Sequence, residues 1–285
     1  MKQLAVMSGK GGTGKTTIMA SLAHRAGDAV LVDCDVDAPN LHLLISGHTI
    51  EENDFTASRV ATLDAAKCTR CGVCAEACRF DAISLDPPRV DDLSCEGCDL
   101  CARLCPAEAI YMVDRISGWW AMSSTDAGAM FHARLEPGEG NSGKLVTLLK
   151  RRAKAYVLAN NTTLMLVDGP PGIGCPAIAA LSGADMALLV AEPSRSGKAD
   201  LGRIITLCRQ MSVRPLMAIN RWDLHAGMTE ELEEMARREK VPVLGRIPFD
   251  EGVHRCAASG RVPDAGPAGR AIEELWANLF EILRD

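Results

Sequence analysis

A chain of 285 residues, 47% of them apolar and 24% charged, is long enough to bury a large core, which excludes a disulfide-stapled mini-protein and a disordered segment. Its 31 basic and 37 acidic residues leave a net charge of −6. With no basic tract and few aromatics to stack on bases, no nucleic-acid partner is expected. The opening residues MKQLAVMSGKGG lack an apolar signal core and a small-residue cleavage site, and nowhere do about 18 apolar residues run together. The expectation is a cytoplasmic protein with no membrane partner.

In chain order, a short apolar strand (4–7) runs into a glycine-rich turn, a helix (16–26) and a second apolar strand (29–32). At Cys68 the composition changes abruptly. Residues 117–143, which contain glycine and serine, carry no recognisable element. The alternating rhythm then returns with a helix over 144–158, apolar strands at 164–167, 186–191, 216–219 and 243–247, and helices near 197–211 and 229–240. Continuous apolar runs of this kind suit parallel strands buried on both faces, so the predicted fold is α/β, a mostly parallel sheet with helices on both faces. The last helix, 269–284, places Ile272, Leu275, Trp276, Leu279, Phe280 and Leu283 on one stripe for packing onto the core.

The chain's 12 cysteines are its anomaly, and cysteines kept in a reducing compartment point to metal ligation before disulfides. Cys68-x-x-Cys71-x-x-Cys74-x-x-x-Cys78 recurs 27 residues later as Cys95-x-x-Cys98-x-x-Cys101-x-x-x-Cys105, and Ala82-Ile83 matches Ala109-Ile110. Three closely spaced thiolates wrap three corners of a [4Fe–4S] cube, and the fourth cysteine of each run serves the other cube. Two clusters are expected, one on Cys68, Cys71, Cys74 and Cys105 and the other on Cys95, Cys98, Cys101 and Cys78. Structural zinc is the competing reading, but it takes two ligand pairs separated by a longer gap. The segment is similar to a bacterial two-cluster ferredoxin, with Pro106 after Cys105 but Arg79 after Cys78. A small α+β ferredoxin-like insert over 63–114 is predicted, interrupting an α/β domain made of 1–62 and 115–285.

Gly9-Lys10-Gly11-Gly12-Thr13-Gly14-Lys15-Thr16-Thr17 sits between strand and helix and fits the phosphate-binding pattern G-x-x-x-x-G-K-[ST]. Glycines let backbone N–H groups close around phosphate oxygens at a helix N-terminus, Lys15 meets the β- and γ-phosphates, and Thr16 ligates Mg²⁺. Gly11, Gly12, Thr13, Gly14, Lys15, Thr16 and Thr17 are the candidate ATP/ADP contacts.

With the additional Lys10, this string resembles the deviant Walker A motif of MinD/Mrp/ParA-type P-loop ATPases. The resemblance implies an ATPase in which Lys10 reaches a partner's phosphates across a nucleotide-sandwich homodimer, or across a heterodimer with a paralogue. Asp33-Cys34-Asp35 is similar to that family's switch I; this implies that Asp35 orients the attacking water and that Asp33 supports Mg²⁺. Asp168-Gly169-Pro170-Pro171-Gly172 resembles its Walker B and switch II, with Asp168 holding Mg²⁺ directly or through water. Asn220-Arg221 and Pro248 resemble its adenine-binding loops. Glu192-Pro193-Ser194, Gly140-Asn141-Ser142-Gly143-Lys144 and the position of the cysteine block look like the branch that carries an inserted ferredoxin domain. The basic C-terminal membrane helix of cell-division MinD and the C-terminal C-x-x-C of the Mrp-type scaffolds are both missing.

Outside the repeat, Cys34, Cys175, Cys208 and Cys256 read as packing residues and His132 as structural; Cys175 falls in the switch II region, where the similar nitrogenase iron protein carries a cluster-ligating cysteine, so a bridging cluster or metal there is the alternative that the resemblance implies. Two functions follow. In one, ATP closure gates electron transfer from the clusters to a redox partner. In the other, the chain is an accessory ATPase for metallocofactor or iron–sulfur assembly that acts on a client protein.

Overall fold

The structure, a computed structural model, describes residues 1–284. Its elements in order are β1 (Lys2–Ser8), α1 (Lys15–Ala26), β2 (Val30–Asp33), β3 (Gly47–Leu63), α2 (Val73–Ala77), β4 (Ile83–Leu85), β5 (Pro88–Val90), α3 (Leu100–Leu104), β6 (Ile110–Thr125), β7 (Gly128–Leu135), α4 (Ser142–Asn160), β8 (Leu164–Pro171), α5 (Cys175–Leu181), β9 (Met186–Ala191), α6 (Arg195–Gln210), β10 (Arg214–Asn220), α7 (Ala226–Arg238), β11 (Val243–Ile247), α8 (Glu251–Ala258) and α9 (Gly266–Arg284). A short 3-10 helix occupies Leu41–Leu43.

The main sheet has nine strands in the order β11-β10-β9-β1-β8-β2-β7-β6-β3. Every pairing from β11 to β7 is parallel, as expected of strands whose central members are largely apolar and buried. Leu4 and Val6 of β1 join a buried cluster with Ile18, Met19 and Leu22 of α1 and Ile272, Leu275 and Leu279 of α9. Ala5 and Met7 between them are equally buried, and the two-residue period turns them to the opposite face. There α6 packs along β1, β9 and β10, and α4 along β2 and β8. Fully burying one such Leu contributes about 1.5–3 kcal/mol.

Residues 117–143, which the sequence leaves without an element, hold most of a β-hairpin. β6 and β7 are joined at Asp126-Ala127, where Thr125 Oγ1 donates to Gly128 O at 2.6 Å and accepts from Ala127 N at 3.2 Å. A connection of two residues makes the pair antiparallel. Phe280 departs from its predicted place. It is 45% exposed, at the edge of the α9 stripe, with its ring 5.6 Å from that of Trp276.

The chain divides into two compact units, residues 1–53, 120–134 and 142 onward in one, 54–119 with 135–141 in the other. The second is wider than the expected 63–114 because β3 and β6 are single long strands that begin in one unit and end in the other. The segment 135–141 joins it through Glu139, which ion-pairs with Arg115 and accepts from Ser58 Oγ at 3.0 Å, and through Glu136 N, which donates to Ser117 O at 3.0 Å. Among the described residues no helix is long and apolar enough to cross a membrane.

Candidate functional site: a phosphate-loop cleft and a separate cysteine unit

The parallel strands end at a common edge, where open α/β sheets place their ligands. Register puts Asp33 of β2 directly beside Asp168 of β8, with Val6 of β1 on the other side of Asp168. The loop 9–14 leaves β1 at this edge and enters α1 through Gly14 in the left-handed region (φ 85°). Two of its glycines have no room for a side chain: a Cβ at Gly9 would lie 2.2 Å from Asp200 Cβ, and one at Gly14 2.4 Å from Asn220 Nδ2. A cleft of about 710 Å³ opens along the loop, lined by Lys10, Gly11 to Thr17, Asp35, Pro170 and Arg221 among others.

Lys15 and Asp168 form a buried ion pair at the floor of this edge, Nζ to Oδ1 2.6 Å, and Lys15 Nζ lies 3.4 Å from Thr16 Oγ1. Burial opposes the ammonium, but Asp168, Asp33 and Asp35 outweigh it and hold its pKa above the ordinary lysine value. Burial, with the Asp168 charge second, pushes the Asp33 carboxyl up to about 7 despite Lys15. Asp33 is wholly buried. Its two oxygens accept from Asp35 N and Leu41 N, each at 3.1 Å, so it ties down the loop after β2. Asp35 lines the cleft, and its pKa is also raised, by burial first.

Asp168 Oδ2 and Thr13 Oγ1 are buried and have no hydrogen-bond partner among the described residues. Asp168 thus has one oxygen free and the other on Lys15 Nζ, which lies 3.4 Å from the Thr16 hydroxyl; a carboxylate and a hydroxyl are the donor chemistry of a hard divalent cation, so these residues fit Mg²⁺ with a nucleotide phosphate.

Lys10 is held within its own chain. It ion-pairs with Glu192 and reaches Ser194 Oγ at 3.2 Å and Ser196 Oγ at 3.3 Å. Ser194 also caps α6, accepting from Gly197 N at 3.1 Å. Only resemblance singles out Glu192 in the sequence; the cap before a helix was the one local signal of this cradle.

Asn220 and Arg221 end β10 beside Ile247, and with Pro248, Thr17 and Gly14 they line a smaller cavity of about 90 Å³ whose other walls include Phe249, Val253 and Ile272. The predicted base-binding residues therefore do converge. Asn220 also reaches the phosphate loop, with Nδ2 donating one hydrogen to Thr13 O at 2.7 Å and Oδ1 accepting from Arg221 N at 3.1 Å.

All eight repeat cysteines lie in the second unit. Cys78, Cys95, Cys98 and Cys101 line one cavity with Phe80, Ile83 and Leu100, so the fourth cysteine of the first run meets the first three of the second. Cys74 is buried; burial raises its thiol pKa, and the sulfurs of Cys105 and Cys68 lie near enough to add to the shift. Cys71 is exposed. Backbone N–H groups point at three sulfurs: Ala61 at Cys95 (3.5 Å), Arg70 at Cys68 (3.4 Å) and Ala109 at Cys105 (3.3 Å). Among the described residues no three His, Cys, Asp or Glu side chains gather closely enough to hold a single metal ion. Eight thiols in two runs, three of them met by backbone N–H groups, are a donor set that fits iron–sulfur clusters.

Of the other cysteines, Cys34 and Cys208 are buried as expected, whereas Cys256 is only half-buried. Cys175 overturns its packing assignment. It is exposed, because it opens α5 just after the Gly172 turn and not on the helix's buried Ala177–Ala180–Leu181 face. His132 is buried, bonded through Nε2 to Ser123 Oγ at 3.0 Å and stacked on His42, as a structural histidine would be.

Comparison with known proteins agrees with this geometry. Residues 4–263 match the family model described as the CobQ/CobB/MinD/ParA nucleotide binding domain. An uncharacterized protein of Methanocaldococcus jannaschii is 34% identical over 99% of this chain and 97% of its own length. A protein of Pyrococcus furiosus named iron-sulfur cluster carrier protein is 23% identical over 99% of this chain and 87% of its own. Among solved structures, the cell division ATPase MinD of Pyrococcus furiosus superposes with a TM-score of 0.60 at 20% identity, over 99% of both chains.

Proposed function

Because this chain belongs to the CobQ/CobB/MinD/ParA nucleotide-binding family, we propose that it is an ATPase whose nucleotide switch governs two [4Fe–4S] clusters and gates electron transfer to a partner protein. The observation that carries the iron–sulfur half is the cavity shared by Cys78, Cys95, Cys98 and Cys101, which joins the two runs in the crossed manner of two-cluster binding. Bound clusters supply one-electron chemistry at potentials tuned by N–H···S bonds and exposure.

In this reading the protein's own residues divide the nucleotide work. Gly11 to Thr17 cradle the phosphates, Lys15 meets the β- and γ-phosphates, and Thr16 with Asp168 holds Mg²⁺, which Asp33 supports by fixing the loop. Asp35, on the cleft wall, orients the attacking water. Lys10 leaves Glu192 for the phosphates of a second subunit, this chain or a paralogue, when the dimer closes. Cys68, Cys71, Cys74 and Cys105 hold one cluster, and Cys95, Cys98, Cys101 and Cys78 the other, in a ferredoxin-like insert.

A second reading, an accessory ATPase for iron–sulfur or metallocofactor assembly, is favoured by the carrier-named relative that spans 99% of this chain. Turnover separates the two. Anaerobically purified protein should contain about eight irons per chain. Gated transfer predicts ATP hydrolysis that rises on adding a reductant and an electron acceptor together. Stimulation by an apo-client protein alone would favour assembly, and fewer than about four irons per chain would contradict both.

A further inference from the structure

Asn220, which ends β10, and Arg221, which follows it, both donate to the phosphate loop. Asn220 Nδ2 donates to Thr13 O, and Arg221 Nη1 donates to Gly12 O at 3.1 Å. The Asn220 amide is oriented by both of its bonds, since exchanging its nitrogen and oxygen would set acceptor against acceptor at Thr13 and donor against donor at Arg221 N. Arg221 is a non-glycine residue in the left-handed region (φ 55°), a conformation that persists only where surroundings fix it. It also faces Glu192, Nη1 to Oε2 3.5 Å, and Glu192 in turn holds Lys10. The approach of Asn220 is so close that Gly14 has no space for a Cβ.

We propose that Asn220, with Arg221, is a positioning residue for the phosphate loop: the two side chains fix the peptide planes after Gly12 and Thr13 and thereby aim the loop's amides. In a trans planar peptide the C=O and the following N–H point in opposite directions. Holding Gly12 O and Thr13 O therefore sets the directions of the Thr13 and Gly14 N–H groups, two of the donors a phosphate would use. The rest of the base cavity is mainly apolar, with Ile247, Pro248, Phe249, Val253 and Ile272. It supplies a surface for a purine ring, with Thr17, Asp250 and His254 as its further polar groups. This inference rests on the nucleotide-binding reading of the cleft and goes further in saying which end of the nucleotide Asn220 serves.

The test is equilibrium binding of Mg²⁺–tripolyphosphate, ATP, GTP and adenosine to the wild type, Asn220→Ala, Asn220→Asp and Arg221→Ala, with the melting temperature of each recorded. The aspartate variant keeps the shape but has no N–H to give to Thr13 O. For Asn220→Ala, tripolyphosphate and ATP should weaken together by about tenfold, the size of one hydrogen bond, and for Asn220→Asp, whose carboxylate also repels phosphate, by more, while the ATP:GTP ratio and adenosine binding stay at wild-type values. Arg221→Ala, whose guanidinium is partly exposed, should show the same pattern at smaller amplitude. Unchanged tripolyphosphate binding with a collapsed ATP:GTP ratio would overturn the proposal in favour of base reading. Equal loss of all four ligands with a lowered melting temperature would overturn it in favour of general damage. Failure of the wild type to bind ATP or tripolyphosphate would instead remove the nucleotide-binding reading beneath it.

Discussion

The two units differ in what holds their chemistry in place. In the nucleotide unit the protein does so itself. A buried cluster spanning β1, α1 and α9 fixes the strand ends, and buried Lys15, Asp168 and Asp33 then meet at distances set by register. In the cysteine unit the buried residues gathered around the ligands are Ala61, Cys74 and Ile110, and half-buried Cys95, Cys101 and Cys105 pack against them. Four of the twelve residues of this core are cysteines, the rest aliphatic such as Leu63, Ile83, Leu85 and Val90 or the thioether of Met112, and its helices α2 and α3 are five residues each. Units this small need a staple, and metal binding commonly supplies the folding free energy. The nucleotide site is thus assembled by the fold, whereas on the proposed function the cysteine unit would depend on the clusters its cysteines hold.

Iron removal gives the largest expected contrast. Chelation under reducing conditions should abolish hydrogen-exchange protection across 68–110, while the nucleotide unit keeps its protection and binds ATP within about twofold of the loaded protein. Equal loss in both units would erase the distinction. Next comes Asp168→Asn, which leaves the buried Lys15 ammonium without its nearest counter-charge. Calorimetric unfolding should show a loss of about 3 kcal/mol, the low end for a broken buried pair because Asp33 and Asp35 remain.

Asp35→Ala then tests the chemistry of the same unit. Its turnover should fall about a hundredfold with ATP affinity nearly unchanged, and unchanged steady-state hydrolysis would remove Asp35 from the switch role. The smallest effect concerns pH. Burial, with His42 second, lowers the His132 pKa from 6.5 to about 4. The unfolded chain therefore binds a proton over that window that the folded chain refuses, and stability contributed by neutral His132 is lost as pH falls from about 6.5 toward 4. Melting curves of His132→Gln should show a shallower acid decline than wild type, and an identical slope would mean that His132 does not titrate in this way.

Legibility in the sequence followed the same division between local and distant. Strands buried on both faces announce themselves as apolar runs, so β1, β2, β8, β9 and β10 were readable, and the less buried edge strand β11 was readable from Val243, Leu244 and Ile247. β3 was not, because its first eight residues are all exposed and show no two-residue alternation. The hairpin β6–β7 was hidden because glycine and serine interrupt its strands, and α8 because eight residues barely complete two helical turns. At the site, the phosphate loop and the cysteine runs were visible because their meaning lies in spacing along the chain. The Glu192 cradle for Lys10 and the Asn220 bond to Thr13 were not, since each joins residues separated by more than 180 positions.

Coupling between the nucleotide switch and the clusters is the central claim, and one measurement reaches it directly: a redox titration followed by EPR on anaerobically purified protein, with and without a non-hydrolysable ATP analogue. The expected result is a shift of at least one cluster potential by about 60 mV or more, which for one electron is about 1.4 kcal/mol of coupling. If both potentials stay in place when the analogue is bound, energetic coupling is contradicted, and the ATPase would instead time docking or assembly on a client protein.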